Sequence, residues 1–172
     1  QRIVSFGSSI TEILFALGVG EKLVGVDDYS DYPEEAKTKP RVGNYFNPSI
    51  ENVVAADPDL VLTEGYSDGI KLLDSKGIKY LVISSKNIDG VLRDIEFLGK
   101  VTGVEGRAGK IIQDMKKDLS CVASRVRDAA KVTVFCVIDA TDLNNPWTAG
   151  PDSVVDSLIT TAGGENIAAK LS

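Results

Sequence analysis

Arg2-Ile3-Val4-Ser5-Phe6-Gly7-Ser8-Ser9-Ile10-Thr11-Glu12-Ile13-Leu14-Phe15-Ala16-Leu17-Gly18 opens the chain and decides its fold class. Residues 2–6 are a short β-branched, apolar run of strand type, and Gly7-Ser8-Ser9 turns it. Ile10, Ile13, Leu14 and Leu17 then recur on one face of a helix, and Gly18 stands where a left-handed C-terminal cap is expected. Ser9 and Glu12 have the spacing of a capping box, so the helix is expected to start at Ile10. A strand followed at once by an amphipathic helix is half of a parallel crossover unit.

The same alternation continues outward. Residues 23–26 read as a second strand, Pro33 as the first turn of a short helix, and residues 40–43 as a third extended piece. Asn47-Pro48 reads as the cap and first position of another helix. A strand at 60–62, a helix at 69–76 and a strand at 80–83 complete this part. A helix follows from about residue 88 to Gly103. Ala108, Ile111, Ile112, Met115, Leu119, Val122 and Val126 mark a longer one, of roughly 20 residues and about 30 Å. Pattern alone reads it equally well as a strut between two lobes or as a covering helix on one sheet. Residues 132–138 form the most apolar run and are expected as one strand, residues 139–150 as a polar loop with Trp147, and residues 153–162 as a helix. One strand cannot make a sheet, so this last part is expected to pack on the first lobe or to be the start of something larger.

Composition narrows the function. The 172 residues carry 19 basic and 25 acidic side chains, a net charge of −6, and no histidine. An acidic chain without a dense Lys/Arg run lacks the footprint of a nucleic-acid binder. Without histidine, His-based triads, proton shuttles and His-zinc sites are excluded. No apolar run approaches the roughly 20 residues of a membrane span. No signal peptide is visible, and opening directly on a strand suits a cytosolic start or a trimmed product alike. Cys121 and Cys136 are read as two half-buried thiols, with pairing left open.

Polar motifs are weak. Gly7-Ser8-Ser9 lacks the spaced glycines of a nucleotide loop and reads better as a plain capped turn than as an anion cradle. Asp27, Asp28 and Asp31 do not have calcium-loop spacing, and solvated loop carboxylates are the better reading. The aromatics carry more. They make up only 6% of the chain, yet Tyr29, Tyr32, Tyr45, Phe46, Tyr66 and Trp147 fall in loops after strands. Those loops line the crevice of an open parallel sheet, so a flat or greasy small molecule is the expected ligand and at least half of the six are expected to face it.

Several stretches together resemble one family. They are Arg2-Ile3-Val4-Ser5, residues 9–18, Val24-Gly25-Val26 with Tyr29-Ser30-Asp31-Tyr32-Pro33, Pro40-Arg41-Val42-Gly43, Asn47-Pro48-Ser49-Ile50-Glu51, Asp57-Pro58-Asp59-Leu60-Val61-Leu62 and Gly163-Gly164-Glu165-Asn166-Ile167. In order and spacing the chain is similar to the class III substrate-binding proteins of ATP-binding-cassette importers for cobalamin, ferric siderophores and haem. The resemblance implies an α/β fold: a Rossmann-like lobe with a central parallel sheet at 1–86, bridging helices at 87–130 and the beginning of a second α/β lobe at 131–172, apparently truncated. It implies an extracytoplasmic binder, not an enzyme, that grips a ligand between lobes, needs no cofactor or metal of its own, and delivers the ligand to a membrane permease as a monomer.

Within that resemblance, residues 144–150 are similar to a cobalamin binder's segment with a cleft aromatic at the Trp147 position, and Tyr45 falls where that protein has a cleft tryptophan. The haem binders carry their iron-ligating tyrosine directly after Val-Gly, where Asn44 stands here, with Tyr45 one place later. A corrinoid is therefore the expected ligand, with a ferric siderophore or haem as the alternative. Arg41 is the one cleft cation suited to an anionic siderophore, unless it is structural. The family's acidic permease contacts map to Glu64 and Asp68 in the first lobe, and the second-lobe acid would lie beyond Ser172. Two rivals stand beside this reading: a cytosolic doubly wound enzyme acting on a phosphorylated substrate through Gly7-Ser8-Ser9, and a non-binding remnant that lacks one wall of the cleft.

Overall fold

Ile3–Phe6 (β1) is the strand around which the first sheet is built. In the computed structural model, which describes residues 1–142 and 145–170, β1 pairs in parallel with Leu23–Val26 (β2) on one side and Leu60–Thr63 (β3) on the other. Tyr80–Val82 (β4) pairs in parallel with β3 and closes the order β2-β1-β3-β4. A central parallel strand is covered on both faces, which is why Ile3, Val4 and Phe6 are all fully buried. Val4 and Phe6 pack with Val42, Val53, Val61, Ile70 and Leu73 on one face. Ser5 points to the other, where it meets Thr11 of the first helix.

The crossovers are the helices α1 (Ser8–Ala16), α2 (Ile50–Ala55) and α3 (Asp68–Ser75). Their starts differ from the sequence reading. The capping box is not formed. The N-cap of α1 is Gly7, no side chain caps it, and the Ser9 hydroxyl donates to Glu64 Oε1 instead (2.5 Å). At α2 the cap is Ser49, whose hydroxyl accepts from the Asn52 amide. Asn47 and Pro48 lie before it, because Gly43 bridges Pro48 and holds that stretch extended. Residues 40–43 do not form a strand of their own; besides the Gly43–Pro48 bridge they add one to the sheet, Arg41 to Val26. Beyond Pro33 the chain makes a 3-10 turn, Glu34–Thr38, and not an α-helix.

Two long helices follow, α4 (Ile88–Thr102) and α5 (Glu105–Arg125). The 21 residues of α5 span about 31 Å at 1.5 Å per residue. The chain divides into two compact units, Gln1–Ser84 with Phe97–Ala108, and Ser85–Glu96 with the described residues from 109 onward. The end of α4 and the start of α5 belong to the first unit. There Lys22 Nζ donates to the Thr102 carbonyl (2.8 Å) and Arg107 Nε to the Ala16 carbonyl at the end of α1 (2.7 Å). The rest of both helices belongs to the second unit.

The second unit corrects the expectation of a single strand at 132–138. Val132–Val134 (β5) and Val137–Asp139 (β6) are separate strands with different partners. β6 runs antiparallel to Trp147–Thr148 (β7), inside the expected loop, and β5 runs parallel to Gly164–Asn166 (β8). The segment serves a parallel partner first and an antiparallel one next, and the strand is interrupted between them at Phe135-Cys136. The helix α6 (Val154–Thr161), capped by Ser153, connects β7 to β8. Buried Asn166 pins this unit: its amide donates to the Ala149 carbonyl and to Asp156 Oδ1 (both 2.9 Å), and its carbonyl accepts from the Ala168 amide (3.0 Å). Cys121 is exposed, Cys136 half-buried, and both are free.

Candidate functional site

The carboxyl ends of β1, β2 and β3 carry three loops that gather in the first unit. Gly7-Ser8-Ser9 follows β1, the Tyr29 and Tyr32 loop follows β2, and Glu64-Gly65-Tyr66 follows β3. Beside them lies the Asn44-Tyr45-Phe46 loop. It is tied on by hydrogen bonds from the Asp28 amide to the Gly43 carbonyl (3.0 Å) and from the Ser67 hydroxyl to the Tyr45 carbonyl (2.8 Å). Placing loops at this edge follows from the parallel sheet, in which every strand ends on the same side.

Five of the six loop aromatics are solvent-exposed: Tyr29 66%, Tyr32 70%, Phe46 82%, Tyr66 55% and Trp147 73%. Exposing that much aromatic surface forgoes hydrophobic stabilisation that burial would return. Tyr45 is different. Its ring lies 4.6 Å from that of Phe46 and packs over Gly65, where any Cβ would collide with it. Tyr66 leans the other way, toward β4: Tyr80 Oη donates to its phenol oxygen (2.9 Å), the rings are 5.9 Å apart, and Lys71 Nζ sits 5.4 Å over its face. That hydrogen bond, given up on ionisation, pushes the Tyr80 phenol up to about 12. Trp147, on β7, belongs to the second unit.

The polar residues divide clearly. Asn44 Oδ1 accepts from the amides of Phe46 (3.1 Å) and Asn47 (3.0 Å), an Asx turn that holds the loop. Arg41 Nη1 donates to the carbonyls of Asp27 (2.6 Å) and Ser30 (2.9 Å), so the guanidinium is engaged within the protein and its role is structural. Glu64 is held by Ser9, whereas Asp68, at the exposed start of α3, pairs with Lys71 (2.7 Å), which holds its carboxyl below the usual range. Among the described residues no three carboxylates or thiols converge to hold a metal. Asp27 is buried and bonded to Ser30, apart from exposed Asp28 and Asp31.

Sequence reading passes over one group here. Ser5, Thr11 and Ser30 are all fully buried and bonded to one another. The available signal was Thr11, a hydroxyl inside the apolar stripe of α1.

Comparison with known proteins agrees with this geometry. The profile of the periplasmic binding protein family matches residues 3–172. An uncharacterised ABC transporter substrate-binding lipoprotein, YvrC of Bacillus subtilis (strain 168), is 33% identical over 98% of this chain and 56% of its own length. A vitamin B12-binding protein of Vibrio campbellii is 28% identical over 99% of this chain and 62% of its own. Among solved structures, a periplasmic heme-binding protein from Pseudomonas aeruginosa superposes with a TM-score of 0.86 at 31% identity, covering 98% of this chain and 63% of that one. The chain thus spans about three fifths of the length of these relatives. With its parallel-sheet lobe, its long helices and a profile match across nearly all its residues, the chain belongs to the periplasmic binding protein family, in the class its sequence resembles, and so to proteins that work outside the cytoplasmic membrane.

Proposed function

We propose that the protein carrying this chain is the substrate-binding component of an ATP-binding-cassette importer, that its ligand is a corrinoid such as cobalamin, and that it hands this ligand unchanged to a membrane permease. The observation that carries the reading is the pair of exposed aromatics Tyr29 and Phe46, on loops at the carboxyl edge of the first sheet that the hydrogen bond from the Asp28 amide to the Gly43 carbonyl ties together; Tyr32, also exposed, lies instead beside Phe15, Gly18 and Glu21. A corrinoid is a broad, partly apolar disc with a polar amide rim. Aromatic faces bury such a disc without supplying a ligand to its metal. Haem calls for a metal ligand from the protein. Here the amide of Asn44 is turned inward to two backbone amides, and Tyr45 is packed over Gly65. The same edge holds no free cation at Arg41 for an anionic ferric siderophore. Family membership favours binding over the rival enzyme, and the turn proposed for phosphate is occupied by Glu64, an anion itself.

The test is titration of the protein, as the cell produces it, with cyanocobalamin, hemin and a ferric catecholate while tyrosine and Trp147 fluorescence is followed. Saturable quenching by cyanocobalamin at the lowest concentration supports the reading. Tighter binding of hemin moves the assignment to haem, and response to none of the three with response to a nucleotide overturns the importer reading.

A further inference from the structure

The geometry points to Thr11, Ser30 and Arg41 as positioning residues that lock the Tyr29 and Tyr32 loop and the Asn44–Phe46 loop into one ligand-presenting arrangement; the inference rests on the binding reading above. Tyr29 and Tyr32 are so exposed that their placement is set by the backbone beneath them. That backbone is held from three sides. The Asp27 amide donates to the Ser5 carbonyl and the Asp28 amide to the Gly43 carbonyl (both 3.0 Å), and Arg41 grips the carbonyls of Asp27 and Ser30. Gly43 begins the second aromatic loop, so Asp28 and Arg41 join the two loops directly.

Beneath them runs a chain of buried hydroxyls whose direction follows from counting protons. Ser30 donates its one hydroxyl proton to Asp27 Oδ1. Toward Thr11, at 2.8 Å, Ser30 can therefore only accept, so Thr11 is the donor. Thr11 has then spent its proton, and the 2.6 Å contact with Ser5 requires Ser5 to donate. The order Ser5 to Thr11 to Ser30 to Asp27 is fixed by the carboxylate at its end, and each bond polarises the next. If Thr11 loses that acceptor, the Gly7 carbonyl at 3.2 Å is the alternative for its proton. An apolar set of the same shape would pack this space at little cost, because replacing both partners of a buried hydrogen bond is close to neutral. What the hydroxyls add is a single geometry between α1 and the tyrosine loop.

Thr11→Val keeps the shape and removes the hydroxyl, Thr11→Ser keeps the hydroxyl, and Arg41→Lys keeps charge but loses the longer, planar guanidinium whose Nη1 makes both bonds. Three quantities are measured in each: cyanocobalamin affinity, amide hydrogen exchange at residues 28–32 and 43–47, and thermal midpoint. Thr11→Val is expected to weaken cyanocobalamin binding and speed exchange at 28–32, each about tenfold, with Thr11→Ser within about twofold of the parent. Arg41→Lys is expected to speed exchange in both loops together. A Thr11→Val protein with a lowered midpoint but unchanged affinity and loop exchange overturns the inference, as does Arg41→Lys loosening one loop alone. If Thr11→Val does not fold, Arg41→Lys decides on the same readouts. A parent protein that binds no cyanocobalamin defeats the corrinoid reading, while the exchange comparison still decides whether these residues hold the loops.

Discussion

The Ser9 hydroxyl reaches across from α1 to Glu64 Oε1 at 2.5 Å and draws that carboxylate over Gly7. Gly7 has φ 143°, in the region that side chains rarely adopt, and an added Cβ would meet the Glu64 side chain. Two separate penalties are therefore stacked at one residue. Gly7→Ala is expected to destabilise the fold by about 1–3 kcal/mol, measured by urea denaturation. In a Glu64→Ala background the clash disappears and the backbone strain stays, so the loss should shrink without vanishing.

The two acidic residues expected to meet the permease are not equivalent. Glu64 is already bonded to Ser9, whereas the Asp68 side chain is 97% exposed and pairs with Lys71. A carboxylate at an exposed helix start is free to exchange an intramolecular partner for an arginine on another surface. Asp68→Asn is expected to reduce transport in reconstituted vesicles more than Glu64→Gln does, with ligand affinity unchanged in both. A larger effect from Glu64→Gln would reverse the assignment.

The first lobe was legible because its signals are local. The strand runs at Ile3, Leu23, Leu60 and Tyr80, and the helix stop at Gly18, each follow from a few consecutive residues. Starts were misread where a tertiary partner outbid a local one. Ser9 had the spacing of a cap but found Glu64, and Asn47 gave way to Ser49 because the Gly43–Pro48 bridge keeps its backbone extended. The split at Phe135-Cys136 was invisible because it depends on strands ten to thirty residues away. In the site, exposure of the aromatics could be inferred from loop placement. The inward role of Thr11 could not, since one hydroxyl in an apolar stripe has no partner until the fold supplies it.

Phe46 and Tyr45 are neighbours in sequence with opposite burdens. Phe46 is 82% exposed, so Phe46→Ala should change stability by no more than about 0.5 kcal/mol. Its effect should fall on ligand affinity. Tyr45 packs against the core and over Gly65, so Tyr45→Ala should lower both stability and affinity. Phe6→Ala, at the core itself, should cost about 3–5 kcal/mol. Denaturation and ligand titration on the three variants separate presentation from packing.

Asp27 adds a pH dependence with a definite sign. Burial raises its carboxyl above the ordinary value, with Asp28 adding to the rise and Ser30, the Tyr29 amide and Arg41 opposing it. With the folded value above the unfolded one, this residue's contribution to stability is fully present below about pH 4 and is lost as pH rises through the folded value. Asp27→Asn retains an oxygen to accept from Ser30 and does not ionise. Its stability relative to the parent should therefore improve as pH rises from about 4 through the raised folded value and level off above it, read from denaturation midpoints at a series of pH values. A difference independent of pH would mean the residue is not titrating in this range.

Tyr80 gives the opposite end of the scale. Its phenol is raised to about 12, first by the hydrogen bond it donates to Tyr66 and then by partial burial and the nearby Asp74 carboxylate. Of the five tyrosines, one should therefore ionise well above the ordinary range when phenolate absorbance is followed during alkaline titration. Tyr66→Phe removes the acceptor and leaves the ring, so the late-titrating phenol should move back toward 10 while the Lys71 contact with the aromatic face persists. The stability supplied by the raised value is present below about pH 10 and lost as pH climbs through about 12, so the parent's advantage over Tyr66→Phe should hold below about pH 10 and shrink through that alkaline window. An unshifted late phenol in Tyr66→Phe would assign the effect to Asp74 instead, and Asp74→Asn would then carry it.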